Sequence, residues 1–133
     1  KPLLERRAVA VIHPDLATSG GILETKKIGD MAQDYGVAMA MHQAGSPISM
    51  LANVHCAAAT ENFLVLENHC VDIEKWQDML TGLPDEFIKD GHIQVPDKPG
   101  LGFEDINEEV FREFLDPKSP GFFESTEAWD KDW

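Results

Sequence analysis

Three ionisable residues each close a short apolar run. Val9-Ala10-Val11-Ile12 leads through His13-Pro14 to Asp15, Val37-Ala38-Met39-Ala40-Met41 runs into His42, and Phe63-Leu64-Val65-Leu66 runs into Glu67. The intervals are nearly equal, 27 residues from Asp15 to His42 and 25 from His42 to Glu67. If the runs are neighbouring strands, about 4.8 Å apart, the three side chains come within reach of one another. An Asp that accepts a hydrogen bond from one ring nitrogen of a His sets the tautomer and raises the ring's basicity. The other nitrogen is left to take a proton from a substrate. Asp15 and His42 are the candidate catalytic dyad. Glu67, if held protonated in a dry site, could hydrogen-bond a substrate carboxylate or the enediolate formed from it. His42 and Glu67 are thus also the candidate substrate-binding residues. Taken singly, each of the three is an ordinary polar residue at a strand end. A mononuclear metal site is the competing reading of the trio, which lacks the His pairs common in zinc sites.

The elements that must position these groups follow from periodicity. The three apolar runs read as strands buried on both faces. Between them, residues 22–35 carry apolar side chains at 28, 31, 32 and 35, with Gly36 as the stop. Pro47 starts a second helix through about residue 59, with Ile48, Leu51, Ala52 and His55 on one face. Strand, helix, strand, helix, strand with short loops predicts right-handed βαβ units and a parallel sheet, whose strand ends are where such folds bind ligands. Beyond Glu67 the spacing predicts a short amphipathic helix over 72–80, with Ile73, Trp76, Met79 and Leu80 inward. A strand over 91–96 and a helix capped by Asn107 through Leu115 follow, then a tail packing through Phe122, Phe123, Trp129 and Trp133.

Other candidates carry less. Ser19-Gly20-Gly21 reads as an ordinary helix start, with anion binding through free N–H groups as the alternative. His55, on an apolar helical face, reads as a core histidine. His13, beside Asp15, is a candidate to line the same mouth, although alternation would point it away from the neighbouring strand, and His69 and His92 have no supporting context. The acidic run 104–113 reads as a solvated face. Cys56 and Cys70 have neither metal-type spacing nor the density of a disulfide scaffold, and read as buried thiols.

Composition narrows the partners. The 133 residues hold 11 Lys and Arg against 24 Asp and Glu, a net charge of −13. Such a balance argues against a nucleic-acid backbone or an anionic membrane as partner. Residues 1–60 hold five acids and five bases, so the whole excess lies beyond them. No apolar run is long enough to span a bilayer, and the expectation is a cytoplasmic protein. Lys1 is not Met, and residues 1–8 look like the last turns of a helix running into a strand, which is expected of a piece of a longer chain.

In order and spacing, His13-Pro14-Asp15-Leu16, Ser19-Gly20-Gly21-Ile22-Leu23-Glu24, Ala38-Met39-Ala40-Met41-His42, Ser46-Pro47-Ile48, Asn62-Phe63-Leu64-Val65-Leu66-Glu67 and the stretch 91–102 resemble the C-terminal part of the mandelate racemase and muconate lactonizing branch of the enolase superfamily. The pattern is most similar to acid-sugar dehydratases of the galactonate type. The resemblance implies an α/β fold, the C-terminal part of a (β/α)7β modified TIM barrel holding strands six to eight. Residues 1–70 would be that third of the barrel. Residues 71–133 would pack on it and on an N-terminal capping domain that lies outside this chain.

By position, the resemblance makes Asp15 and His42 the acid/base dyad at the carbon beside a carboxylate, and Glu67 a substrate-binding residue. It implies Mg²⁺ as cofactor, with ligands on upstream strands and none in this chain, a small sugar-acid substrate, and homo-oligomeric assembly. The implied activity is Mg²⁺-dependent dehydration of an aldonate to a 2-keto-3-deoxy acid through an enediolate, with the isolated chain inactive. A cycloisomerase or racemase of the same superfamily, or a non-catalytic acidic interaction module, are the alternatives.

Overall fold

In a computed structural model, which describes residues 1–119 and 121, the chain builds two small sheets. A single helical turn, α1 (Pro2–Glu5), precedes β1 (Val11–Ile12), α2 (Gly21–Asp34), β2 (Ala38–Met41), α3 (Pro47–Ala58) and β3 (Phe63–Leu66). These strands pair in the order β1-β2-β3, parallel throughout, which is the predicted βαβ pattern. The remaining elements are a 3₁₀ turn (Gln77–Met79), β4 (Leu80–Thr81), β5 (Asp105–Ile106) and α4 (Glu108–Glu113).

The helices form where the chain supplies their ends. Ser46 caps α3 by accepting from the Ser49 N–H at 3.5 Å, with Pro47 pre-set for the first turn. Asn107 caps α4 through the Val110 N–H at 3.4 Å. At the end of α2, Gly36 takes a φ of +68°, which suits glycine. The face of α2 that turns inward is not the one its large residues suggest: Thr25, Gly29 and Ala32 are buried, whereas Met31 and Tyr35 are exposed. Close approach is the reason. A Cβ on Gly29 would stand 2.8 Å from Thr60 Cγ2 and 3.0 Å from Met39 Sδ, so this helix meets β2 through small residues.

Only β2 behaves as a buried strand, and only on one face. Met39 and Met41 are fully buried against Ala52 and Cys56 of α3, while Ala38 and Ala40 point to the other, partly open side. Phe63, Leu64 and Val65 of β3 and Val11 of β1 are exposed, against the expectation of burial on both faces. β1 and β3 are the two edges of a three-stranded sheet covered by helices on one side, and among the described residues nothing shields their other surfaces.

Past Glu67 the structure departs further from the expected elements. The predicted helix over 72–80 is reduced to the turn at Gln77–Met79. Trp76, Met79 and Leu80 do pack inward on Met50 and Leu51, but Ile73 is exposed. No strand forms over 91–96; a single antiparallel bridge joins Lys89 and His92, and the ladder that does form is the short pair β4–β5. Gly91, with φ +74°, bends the chain there and Pro96 lacks a donor. The tail residues Phe122, Phe123, Trp129 and Trp133 lie outside the described residues. Both cysteines are buried and free, and burial raises both thiol pKa values. Among the described residues no helix is long and apolar enough to cross a membrane.

Candidate active site

The parallel ladder continues past the formal strand ends and sets the site. Val11 pairs with Ala38, Ile12 with Met39 and, as an isolated bridge, Asp15 with His42. The offset is 27 throughout, so the sequence interval between Asp15 and His42 is a register. Between β2 and β3 the register shifts: Met39 pairs with Phe63, but Ala40 with Val65 and Met41 with Leu66. Leu64 is the extra residue of a bulge, a device that re-aims side chains beside functional sites. Beyond it the offset is 25, and Glu67 stands level with His42. Backbone bonds hold the row, from His42 N–H to Pro14 O at 3.0 Å, from Glu67 N–H to Met41 O at 2.9 Å and from His69 N–H to Gln43 O at 3.1 Å.

The structure brings Asp15 and His42 into direct contact. His42 Nδ1 lies 2.6 Å from Asp15 Oδ2. An ionised carboxylate only accepts, so the proton of this bond is on Nδ1 and the Nε2 lone pair is left on the side of Glu67. Nε2 is 3.7 Å from Glu67 Oε2, beyond a hydrogen bond. Desolvation pushes the Asp15 carboxyl up, but bonds from His42 and from the Thr18 and Ala17 N–H groups outweigh it and its pKa is lowered. The dyad is about one-third exposed, His42 at 31% and Asp15 at 28%.

Glu67 departs from the expectation that it is held protonated. Desolvation acts upward on it too, yet the hydrogen bond and charge of His69, followed by those of His13, win and lower its pKa. His69 Nε2 is 2.7 Å from Glu67 Oε1 and His13 Nε2 is 3.0 Å from Oε2. An ionised Glu67 accepts hydrogen bonds, which suits a substrate hydroxyl better than an enediolate.

His69 is the residue that sequence reasoning missed, whereas His13, a weaker candidate for the same mouth, is brought to Glu67. β1 ends at Ile12 and Pro14 follows at once, so strand alternation does not extend to His13, whose Nδ1 reaches Ala40 O at 2.9 Å. His69 sits two positions past Glu67, and because residues i and i+2 of an extended chain share a face, that spacing was the signal available. Gln43 is a further unpredicted support. Buried at 2% exposure, it accepts from Ser49 Oγ and Asn53 Nδ2 and donates to Ser46 O, tying the residue after His42 to α3. His55 is 3.2 Å from Leu101 O, the structural role expected of it. The Gly21 N–H is taken by Leu16 O, so the Ser19-Gly20-Gly21 turn is an ordinary helix start.

Among the described residues the one group of metal-type ligands is His42, Glu67 and His69. Two of its three donors are nitrogens. Mg²⁺ demands an oxygen shell, so this set does not fit it.

Comparison with known proteins agrees with this architecture. Residues 1–110 match the family model described as Enolase C-terminal domain-like. The chain is 44% identical over 102 residues to the D-xylonate dehydratase of Haloferax volcanii, covering 77% of this chain and 24% of that protein. It is 36% identical over 114 residues to the arabinonate dehydratase of Saccharolobus solfataricus, covering 84% and 29%. Among solved structures, a mandelate racemase/muconate lactonizing enzyme-like protein from Rubrobacter xylanophilus superposes with a TM-score of 0.84 at 37% identity, over 91% of this chain and 30% of that one. The chain thus spans about a quarter to three-tenths of the length of these proteins, and its parallel α/β sheet matches the C-terminal barrel part of such enzymes.

Proposed function

The chain belongs to the enolase C-terminal domain-like family, and from that premise we propose that it supplies the proton-transfer wall of an enzyme that dehydrates sugar acids. The observation that carries the reading is the Asp15–His42 contact of 2.6 Å, with the Nε2 lone pair left on the side of Glu67. Relatives named as xylonate and arabinonate dehydratases support the substrate class.

In this reading His42 Nε2 takes the proton from the carbon beside the substrate carboxylate, and Asp15 steadies the imidazolium that forms. The electron pair left behind forms an enediolate. Expulsion of the β-hydroxyl follows, and the proton and hydroxyl lost together make one water. The remaining enol ketonises to a 2-keto-3-deoxy acid. Glu67, ionised, holds a substrate hydroxyl as an acceptor. Enolase-superfamily members typically use Mg²⁺, which stabilises negative charge at a carboxylate; the described residues offer it no fitting set, so its ligands belong outside them.

The test uses the full-length gene product containing residues 1–133. Incubation with xylonate, arabinonate, galactonate and gluconate should give a semicarbazide-reactive 2-keto acid from at least one, and His42→Asn should abolish it. Turnover retained by His42→Asn sinks the assignment. A changed optical rotation without 2-keto acid favours a racemase or cycloisomerase instead.

A further inference from the structure

We propose that His42, Glu67 and His69 form a binding site for a transition-metal ion of the Zn²⁺ class, and that its occupation shuts the proton-transfer machinery. The ligand atoms of the three residues all lie within 4.8 Å of one another. In a tetrahedral site with metal–nitrogen and metal–oxygen lengths of about 2.0–2.1 Å, two ligand atoms stand roughly 3.4 Å apart. His42 Nε2 and Glu67 Oε2 are at 3.7 Å, already close to that spacing. His69 Nε2 lies 2.7 Å from the other oxygen, Oε1, so the carboxylate stands between the two imidazoles, and one ligand atom from each residue falls within the 4.8 Å limit. Two imidazoles and a carboxylate are the donor set of zinc-type sites with an open fourth position.

The second feature lies behind the ligands. A metal-binding histidine almost always gives its other ring N–H to a carboxylate or a backbone carbonyl, which fixes the ring and directs its lone pair. His42 has this support from Asp15 at 2.6 Å. His13 stands 3.0 Å from Glu67 Oε2, and its Nδ1 is 2.9 Å from Ala40 O, which makes it the nearest candidate for the open position. A metal ion would take the place of the hydrogen bond that now joins His69 to Glu67.

Binding rests on this geometry alone, whereas inhibition also rests on the reading of His42 as the base. A metal on Nε2 occupies the lone pair that would take the substrate proton, so the two uses exclude each other.

The experiment is a titration of the full-length gene product with Zn²⁺ and, for spectra, Co²⁺, in excess Mg²⁺ and without substrate. One tightly bound equivalent is expected, with the visible band of tetrahedral Co²⁺. His69→Asn and Glu67→Gln should each weaken binding by about tenfold or more, as loss of even a supporting partner does in such sites. Far-UV circular dichroism verifies that each variant is folded, and Asp15→Asn, which removes no ligand, should weaken binding as well. Absence of binding in excess Mg²⁺, affinity unchanged by His69→Asn and Glu67→Gln, or a near-ultraviolet thiolate band placing the metal on Cys56 or Cys70 overturns the proposal. If the protein dehydrates a sugar acid, Zn²⁺ should stop turnover and a chelator restore it. Zn²⁺ binding without any dehydratase activity supports the site and counts against the proposed function only.

Discussion

Asp15→Asn is the substitution that isolates what the dyad does. It keeps the shape of the side chain and removes its charge. When His42 takes a proton, an imidazolium forms beside the carboxylate whose Oδ2 is 2.6 Å from Nδ1. Charge centres about 4 Å apart at an effective dielectric near 20 attract by about 4 kcal/mol. Both groups are about one-third exposed, so roughly half of that, about 2 kcal/mol, is a fair share after solvent screening. At 1.36 kcal/mol per decade, kcat falls about 30-fold. If the new amide turns its NH₂ toward Nδ1, the tautomer inverts and the lone pair leaves Nε2. The loss then approaches the whole of a general base's contribution, about 10²- to 10⁴-fold. KM should stay within a few-fold, because Asp15 is directed at the ring and not at the substrate. The assay is semicarbazide detection of 2-keto acid over a range of aldonate concentrations. A kcat within about threefold of wild type, or a rise confined to KM, would refute the reasoning, since a loss of transition-state stabilisation must appear in kcat.

Other consequences are read by stability. Because folding lowers the Asp15 pKa, its contribution is present above the ordinary carboxyl value of 3.8 and is lost as pH falls through the folded value. Wild type and Asp15→Asn, unfolded by urea from neutral to strongly acid pH, should therefore converge at the acid end; a constant difference contradicts this. Gly29→Ala places a methyl against Thr60 and Met39 and should destabilise the full-length protein by about 1–3 kcal/mol in the same assay, with no loss meaning that α2 can shift outward freely. The 133-residue chain on its own should show no cooperative monomeric unfolding transition, because Phe63, Leu64, Val65 and Val11 remain exposed on its sheet; sedimentation with a circular-dichroism melt checks it, and a sharp monomeric transition would count against it.

What was legible in the sequence was whatever strand register controls. The 27-residue interval between Asp15 and His42 is the offset of the β1–β2 ladder itself, so two residues ending similar runs had to meet. The 25-residue interval to Glu67 hid a bulge, since the ladder begins at an offset of 24 and gains one residue at Leu64. Nothing in Phe63-Leu64-Val65-Leu66 marks that position. His69 was passed over because it lies beyond β3, although its two-residue spacing from Glu67 puts both on one side, and His13 was expected to turn away because alternation was carried past the end of β1. The same limit explains the C-terminal half. The period of 72–80 was real enough to bury Trp76, Met79 and Leu80, but a single 3₁₀ turn with β4 following buries them equally well.

If both proposals hold, His42 and Glu67 each do more than one thing, and their geometry allows it. Asp15 takes the proton of Nδ1 and so commits Nε2 to being a lone pair on the side of Glu67. A lone pair so placed is a base for a carbon acid and a ligand for a soft enough cation; nothing about the dyad alone distinguishes the two. Glu67 adds an ionised carboxylate, which serves equally to accept from a sugar hydroxyl or to bind a cation. The residue that tips the balance toward metal is His69, because with His42 it supplies the pair of imidazoles that Asp15, His42 and Glu67 lack. Removing His69 should therefore separate the two functions, weakening a Zn²⁺-class ion while leaving the Asp15–His42 contact in place.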